Sequence, residues 1–336
     1  MKRITIADVA REAGVSTQTV SRVLNNKAEI STSTRETVMR VIERLGYRPS
    51  GVARGLATSK TLTVGLVVPD IANPFFPEIA RGAEDLLRRQ GYEMFLCNTV
   101  EDPERERAVL GALEEKRVDG VVICSSRLPD EQLFPHLRRQ RAVVLVNRSA
   151  PEELAGTVCV DDAFGTEQAV NHLLASGCRV IGFLAGPPRS HSGRERAKGF
   201  ERALRIEGYK PDPGLIIHCS PNHEGGYDAA LSLLSARPDI DGLICYNDLV
   251  AVGALRACAQ LGRKIPEEVA VVGCDDIMIA GLVSPALTTL RVSKYELGTM
   301  AARLLLDRIE GRREHSKAKL RPELVVRSST LADDVV

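Results

Sequence analysis

The chain has 336 residues, 44% hydrophobic and 26% charged, with no Trp, a length that suits a small module joined to a large α/β body rather than one small domain. No apolar run approaches the ~20 residues of a membrane helix and the N-terminus lacks a signal-peptide core, so a membrane-spanning or exported protein is not expected and a cytoplasmic one is. The net charge of +1 hides an asymmetry: residues 1–60 carry 11 Lys/Arg against 5 Asp/Glu, whereas residues 61–336 carry 34 against 39. A basic N-terminal module displaces counterions from nucleic-acid phosphates. Eight cysteines are scattered without C-x-x-C spacing, several at the ends of apolar runs. Reduced thiols are expected rather than disulfides or a zinc site, and no metal or cofactor is expected.

Residues 4–26 hold two short helix patterns separated by one glycine. Thr5 with Asp8 three residues on is a capping-box pattern, so a first helix begins at Ile6 and buries Val9, Ala10 and Ala13. Gly14 supplies the left-handed residue that stops it. Val15 packs into the angle, Ser16 caps a second helix, and Val20, Val23 and Leu24 form its inward stripe. The outer face carries Thr17, Gln18, Ser21 and Arg22. Such a helix enters the major groove N-terminal end first, where Gln pairs with an adenine edge and Arg forks onto guanine. A third helix is expected from Thr32 to Leu45, capped by Ser31, with Val38, Val41, Ile42 and Leu45 inward and Gly46 as its stop.

The segment Tyr47–Lys60 has helical spacing after Pro49 but contains Gly51 and Gly55, each costing about 1 kcal/mol inside a helix. Alone it is expected to be mostly unfolded. Paired with a second copy on DNA, Val52, Ala53 and Leu56 form an apolar face, and Leu56 is placed to wedge between base pairs in the minor groove; a plain linker is the alternative.

From Leu62 apolar strand-like runs alternate with amphipathic helices. Strands are expected at Leu62–Val68, Tyr92–Cys97, Asp119–Cys124, Ala142–Val146, Val180–Leu184, Leu215–His218, Gly242–Cys245 and Ala270–Gly273. Helical patterns include Phe75–Arg89, Glu104–Lys116, Phe164–Ser176, Ser192–Glu207, Gly226–Ala236 and Asp248–Leu261. Strands apolar on both faces are buried on both faces, so parallel, doubly wound sheets are expected, and eight strands divide naturally between two lobes. G-x-G-x-x-G, P-loop, H-E-x-x-H and G-x-S-x-G motifs are all missing, which leaves an enzymatic reading without support.

Over nearly its whole length the chain resembles the lactose-repressor (LacI/GalR) family of bacterial transcription regulators. The matching stretches are Ile6–Ala10, Gly14–Ser16, Thr19–Asn25, Gly46–Pro49, Val64–Asp70 with Asn73–Phe76, Val118–Val121, Arg196 with Gly199-Phe200, Asn247-Asp248, Val272–Asp276 and Pro285–Thr289. The resemblance implies an α/β protein with a three-helix helix-turn-helix headpiece (residues 1–46), a hinge (47–60), and a core like periplasmic sugar-binding proteins (61–336). Its two subdomains, about 61–161 plus 291–320 and about 162–290 plus 321–330, are joined by three crossovers. It also implies a homodimer on a nearly palindromic double-stranded DNA operator. Ser50, where Asn is common, and the two hinge glycines depart from the pattern and raise the folding cost of the hinge.

By this resemblance the DNA-contacting residues are Thr5, Ser16, Thr17, Gln18, Thr19, Ser21, Arg22, Asn25, Ala53 and Leu56. The effector cleft lies at the carboxyl ends of the strands between the lobes, with Phe75, Phe76, Ser125, Asn147, Arg148, Asp161, Ser190, Ser192, Arg196, Asn247 and Asp275. Buried Arg and Asp suit adjacent hydroxyls of a polyol, and aromatic faces cover its C–H side. Pro221 fills a loop position where relatives often stack an aromatic, which disfavours a purine. Convergence of Arg148, His191 and Arg196 would add positive charge, so a sugar, a sugar acid or a sugar phosphate is the expected class. Dimer contacts are expected from Glu78–Leu87, Leu249–Leu261 and Ile277–Val283, without a C-terminal heptad helix for a tetramer. Two other readings stay open: control by a phosphorylated carrier protein bound on the core surface, and a sugar-binding module without a regulatory role. A Leu56→Ala protein is expected to keep its folded core and lose most specific operator affinity; footprints identical to those of the parent would rule out the lever role.

Overall fold

The computed structural model describes residues 4–24, 29–47, 60–312 and 316–331. Asn25 and the hinge residues Ala53 and Leu56 lie outside this set. The chain divides into two units, Met1–Thr61 and Leu62–Val336.

In the first unit α1 (Ile6–Ala13), α2 (Thr17–Leu24) and α3 (Thr32–Leu45) close on one small core of Val9, Ala10, Val20, Val23, Val38 and Val41. The capping box is present, with Asp8 N donating to the Thr5 hydroxyl and Thr5 N donating to the Asp8 carboxylate. Gly14 takes φ 66°, a left-handed value that turns the chain after α1 and lets Ser16 start α2 by accepting from Thr19 N at 3.0 Å. Ser31 caps α3 in the same way and Gly46 ends it.

The second unit contains two six-stranded sheets. The first lobe holds β1 (Thr63–Val68), α4 (Phe75–Arg89), β2 (Glu93–Asn98), α5 (Pro103–Glu115), β3 (Gly120–Cys124), α6 (Asp130–Arg139), β4 (Val143–Val146) and β5 (Gly156–Val160). The second holds α7 (Asp162–Ala175), β6 (Ile181–Leu184), α8 (His191–Ile206), β7 (Ile216–Ile217), α9 (His223–Ala236), β8 (Gly242–Cys245), α10 (Asp248–Gln260), β9 (Ala270–Asp275) and β10 (Thr288–Arg291). The chain then returns to the first lobe with α11 (Lys294–Ile309) and β11 (Lys317–Leu320), and crosses again to β12 (Glu323–Val325). The strand orders are β11-β5-β4-β3-β1-β2 and β12-β10-β9-β8-β6-β7, parallel throughout except for β10 with β12. Burial on both faces explains the parallel pairing: β3 (GVVIC) and β4 (VVLV) are buried at every residue.

Four strands escape the sequence pattern. β5, β10, β11 and β12 are three to five residues long, and β11 (KAKL) and β12 (ELV) are sheet-edge strands with exposed charged residues. Sheet pairing, and not apolar content, makes them strands. The expected strand Leu215–His218 shrinks to β7 behind a 3-10 turn, Pro213–Leu215. Three crossovers connect the lobes, each one or two residues long: Asp161, Val292-Ser293 and Arg321-Pro322.

Helix α11 seals the first sheet by lying on α4 at backbone contact. A Cβ at Gly298 would stand 2.0 Å from the Ile79 carbonyl oxygen, and one at Gly82 2.1 Å from that of Tyr295. The two glycines interleave, and the buried Leu297, Ala301 and Leu305 follow. Gly298→Ala must push the helices apart and is expected to destabilise the core by about 1–3 kcal/mol in urea unfolding. Gly111→Ala, in α5 with open space around it, should instead stabilise by about 0.5–1 kcal/mol.

Candidate functional site

The headpiece presents one polar helix face. Thr17, Gln18 and Arg22 are exposed on α2, and Ser21 is half-buried beside them. Thr5, Ser16 and Thr19 are engaged at the helix starts: Thr5 and Asp8 hold each other, and the Ser16 and Thr19 hydroxyls lie 2.9 Å apart. Arg22 is only loosely held, 3.7 Å from Glu29. The fold thus fixes the starts of α1 and α2 and leaves Gln18 and Arg22 able to reach outward.

In the core the strand ends converge between the lobes. Glu101, Ser125, Asn147 and Asp275 follow or end β2, β3, β4 and β9 with φ of 57°, 47°, 53° and 114°. Positive φ at non-glycine residues costs of order 1–3 kcal/mol each and persists only where the surroundings enforce it. Here it turns four polar side chains around one narrow cavity of ≈ 30 Å³. Phe75 and Phe76 open α4 on its first-lobe wall, edge to face with centroids 5.3 Å apart.

Arg196 on α8 is the centre of the opposite wall. Its Nε donates to Asp162 Oδ1 at 2.8 Å, Nη1 donates to the Tyr246 carbonyl, Nη2 lies 3.9 Å from Asp275, and the guanidinium sits 5.0 Å over the Tyr246 ring. Burial opposes its charge, but Asp162 and Asp275 outweigh that and hold its pKa above the ordinary value. Burial pushes the Asp275 carboxyl up to about 6, against the pull of Arg196 and Lys294. The Asn247 side chain caps α10 through Val250 N at 2.8 Å and donates to the Pro221 carbonyl at 3.1 Å. The Ser192 hydroxyl, buried in the same wall, has no hydrogen-bond partner among the described residues.

The cavity therefore brings together Phe75, Phe76, Ser125, Asn147, Ser192, Arg196, Asn247 and Asp275, together with Pro221. Three expected residues stand elsewhere. Asp161 caps α7 at a crossover and pairs with Lys319 at 2.8 Å; the Ser190 hydroxyl caps α8 and bonds the Tyr246 hydroxyl at 2.9 Å. Arg148 turns away from the cavity onto Asp130. Arg148 and His191 are neighbours, but Arg196 is not directed at them, because Asp162 and the Tyr246 carbonyl fix its guanidinium.

Asn73, Glu101, Arg127 and Tyr246 line the cavity without having been expected. Arg127 is 5% exposed and forks onto Glu101 at 2.5 and 3.0 Å, while Glu106 accepts from its backbone N at 2.9 Å. Burial opposes its charge as well, and Tyr246 and Glu101 raise its pKa above the ordinary value. Their position just after β2, β3 and β8 was the available signal, since strand ends converge in this architecture.

A helix-turn-helix unit followed by a two-lobed core with a polar inter-lobe cavity defines a DNA-binding regulator that answers to a ligand. Residues 5–50 match the model of the bacterial regulatory proteins of the lacI family, and residues 170–330 match a periplasmic binding protein-like domain. The ribose operon repressor of Halalkalibacterium halodurans is 36% identical over 97% of both chains. A transcriptional regulator CelR solved with cellobiose is 34% identical, with TM-score 0.74 over 97% of this chain and 100% of that one. The Lac repressor dimer bound to operator and an anti-inducer is 27% identical, with TM-score 0.88 over 98% and 100%. The chain belongs to the LacI family: it is a DNA-binding transcriptional repressor with a ligand-binding core, and not an enzyme. No helix among the described residues is long and apolar enough to cross a membrane, and all eight cysteines are free thiols.

The Asp275 carboxyl yields a pH prediction. Its folded-state value of about 6 exceeds the ordinary 3.8, so the folded protein holds the proton more tightly, and this contribution to stability is lost as pH rises from 4 through 6. The difference corresponds to about 3 kcal/mol. Unfolding of Asp275→Asn compared with the parent should therefore shift in favour of the variant by up to about that amount between pH 4 and pH 7; an unchanged difference would contradict the raised carboxyl.

Proposed function

We propose that this repressor is a cytoplasmic homodimer that grips a nearly palindromic operator with two α2 helices, and that an uncharged polyhydroxylated ring, a sugar, controls it from the inter-lobe cavity. In this reading residues 1–46 read the DNA, 47–60 form the hinge, and 61–336 bind the effector and the partner subunit. The observation that carries it is the charge balance of the cavity. Arg196 faces Asp162 and Asp275, Arg127 faces Glu101, and the buried Ser192 hydroxyl is left for a ligand to satisfy. A ring rich in hydroxyls, admitted when the lobes part to widen this narrow cavity, can donate to Asp275 and accept from Arg196 and Ser192 without adding net charge, and Phe75 and Phe76 can cover its C–H face. Inside the cavity itself a carboxylate or phosphoryl group finds no uncompensated cation, so the part of the ligand held there is the uncharged ring. The cellobiose-bound relative and the ribose operon repressor support a carbohydrate.

Control follows from linkage. A ligand bridging the lobes favours their closed arrangement and so shifts the population able to pair hinge segments on the operator. For dimerisation, Glu78–Leu87 offers mostly Arg81, Glu84 and Asp85 to a partner, because α11 already covers its apolar side, and Leu249–Leu261 is largely internal. Exposed apolar side chains of the core include Phe95 and Leu96 on edge strand β2, and Met278 and Leu282 (79% and 72% exposed) around the 3-10 turn Met278–Gly281. We assign the subunit contact to these two patches.

A thermal-shift panel of pentoses, hexoses, disaccharides, aldonic acids and sugar phosphates tests the reading. One neutral sugar class is expected to raise the core transition, by about 2.7 kcal/mol at 100 times its Kd. Ser192→Ala, which removes a cavity hydroxyl without a partner among the described residues, should weaken sugar binding and so reduce that shift while operator binding without sugar persists. Sugar affinity should rise with pH through about 6, since ionised Asp275 is the better acceptor. Silence across the whole panel would sink the sugar assignment.

A further inference from the structure

We propose that the mouth of the cleft carries a second binding site, for a phosphate dianion, built by Arg148 from one lobe and by Arg189 and Arg194 from the other. These three side chains line a cavity of ≈ 450 Å³ beside the sugar cavity, together with Leu128–Gln132 and Pro188. Arg127 lines both cavities and forms the partition between them.

The donors there are more numerous than their acceptors. Arg148 is 8% exposed, and only its Nη2 is engaged, by the Asp130 carboxylate and by the Leu128 carbonyl at 3.3 Å. Its Nε and Nη1 have no hydrogen-bond partner among the described residues. Arg194 Nη1 donates only to the carbonyls of Pro188 and Arg189, at 3.5 and 3.1 Å, and no carboxylate among the described residues pairs with it. The Arg189 guanidinium likewise makes no ion pair with an acidic group among the described residues. Of the carboxylates on the wall, Asp130 is committed to Arg148, and Glu131 stands exposed; Glu101, at the edge, is committed to Arg127. Arg148 and Arg194 also share a neighbour in His191, whose imidazole is held below its ordinary pKa first by burial and then by these two cations, against Glu195.

Guanidinium forks match the oxygens of a phosphate, and two forks without a carboxylate partner among the described residues, beside a half-used buried one, suit a dianion better than a single carboxylate. Because the donors come from both lobes, an anion here favours the closed arrangement and so acts on the same equilibrium as the sugar. The phosphate is either free or the phosphoryl group of a sugar whose ring occupies the neighbouring cavity. The second source rests on the sugar reading above; the site itself does not.

Isothermal titration of the full-length protein with inorganic phosphate, at ionic strength held constant with potassium chloride, tests the site. Saturable binding is expected, weakened at least about tenfold in the Arg189→Ser/Arg194→Ser double variant. Arg189→Ser alone, on an exposed side chain, should weaken it in the same direction. Glucose 6-phosphate binding more tightly than both phosphate and glucose identifies a phosphorylated sugar as the source; equal affinity for the two phosphates identifies free phosphate. Either result supports the site. No saturable phosphate binding by the parent protein, or equal binding by the double variant, overturns it. Because inorganic phosphate needs nothing from the sugar cavity, the outcome stands even for a protein that ignores every sugar.

Discussion

Arg196 is the charge around which the core is arranged. A guanidinium buried in a low-dielectric interior is tolerated only when carboxylates and carbonyls take up its donors. Asp162 at the start of α7 and the Tyr246 carbonyl after β8 do so, and Asp275 at the end of β9, 3.9 Å away, adds a second counter-charge from a third element. One side chain therefore ties a crossover helix to two strand ends, and it leaves Asp275 buried with a carboxyl whose pKa is raised to about 6.

The first lobe answers with a separate device. Arg127 is gripped by two carboxylates of one segment, Glu101 on its side chain and Glu106 on its backbone. This braces the loop after β3 and carries a cation to the boundary between lobes, where it meets Tyr246. Glu106 stays buried to do this; burial raises its pKa, and hydrogen bonds from Ser126 and Arg127 act against that rise. The cavity is thus walled by two arginines, each neutralised within its own lobe, so that closing the lobes does not bring uncompensated charges together. In the proposed reading a ligand that adds hydroxyls and no charge fits this balance, and an anion is held outside it by the guanidinium groups at the mouth.

Much of the fold was legible because it rests on local rules. The capping box at Thr5, the left-handed stop at Gly14, and the inward stripe Val20, Val23, Leu24 describe the headpiece helices, and the largely apolar runs of β1, β3, β4 and β9 describe buried parallel strands. The short strands β5, β10, β11 and β12 were illegible for the opposite reason. Their residues carry little apolar pattern, and they are strands because a neighbouring edge offers hydrogen bonds.

The sequence by itself determined the reader helix, the two-sheet architecture and the presence of Arg196 and Asp275 at strand-end and helix-start positions, because capping, periodicity and strand burial act over a few residues. Tertiary structure alone decided which polar groups share a cavity. Arg148 was drawn to Asp130 and Ser190 to Tyr246, while Glu101, Arg127 and Tyr246 entered the wall. Those choices depend on positive φ at the strand ends and on partners 18 to 56 residues away in the chain. Side-chain direction at a strand end is set by which distant acceptor lies within reach, and that distance exists only once the sheets have formed.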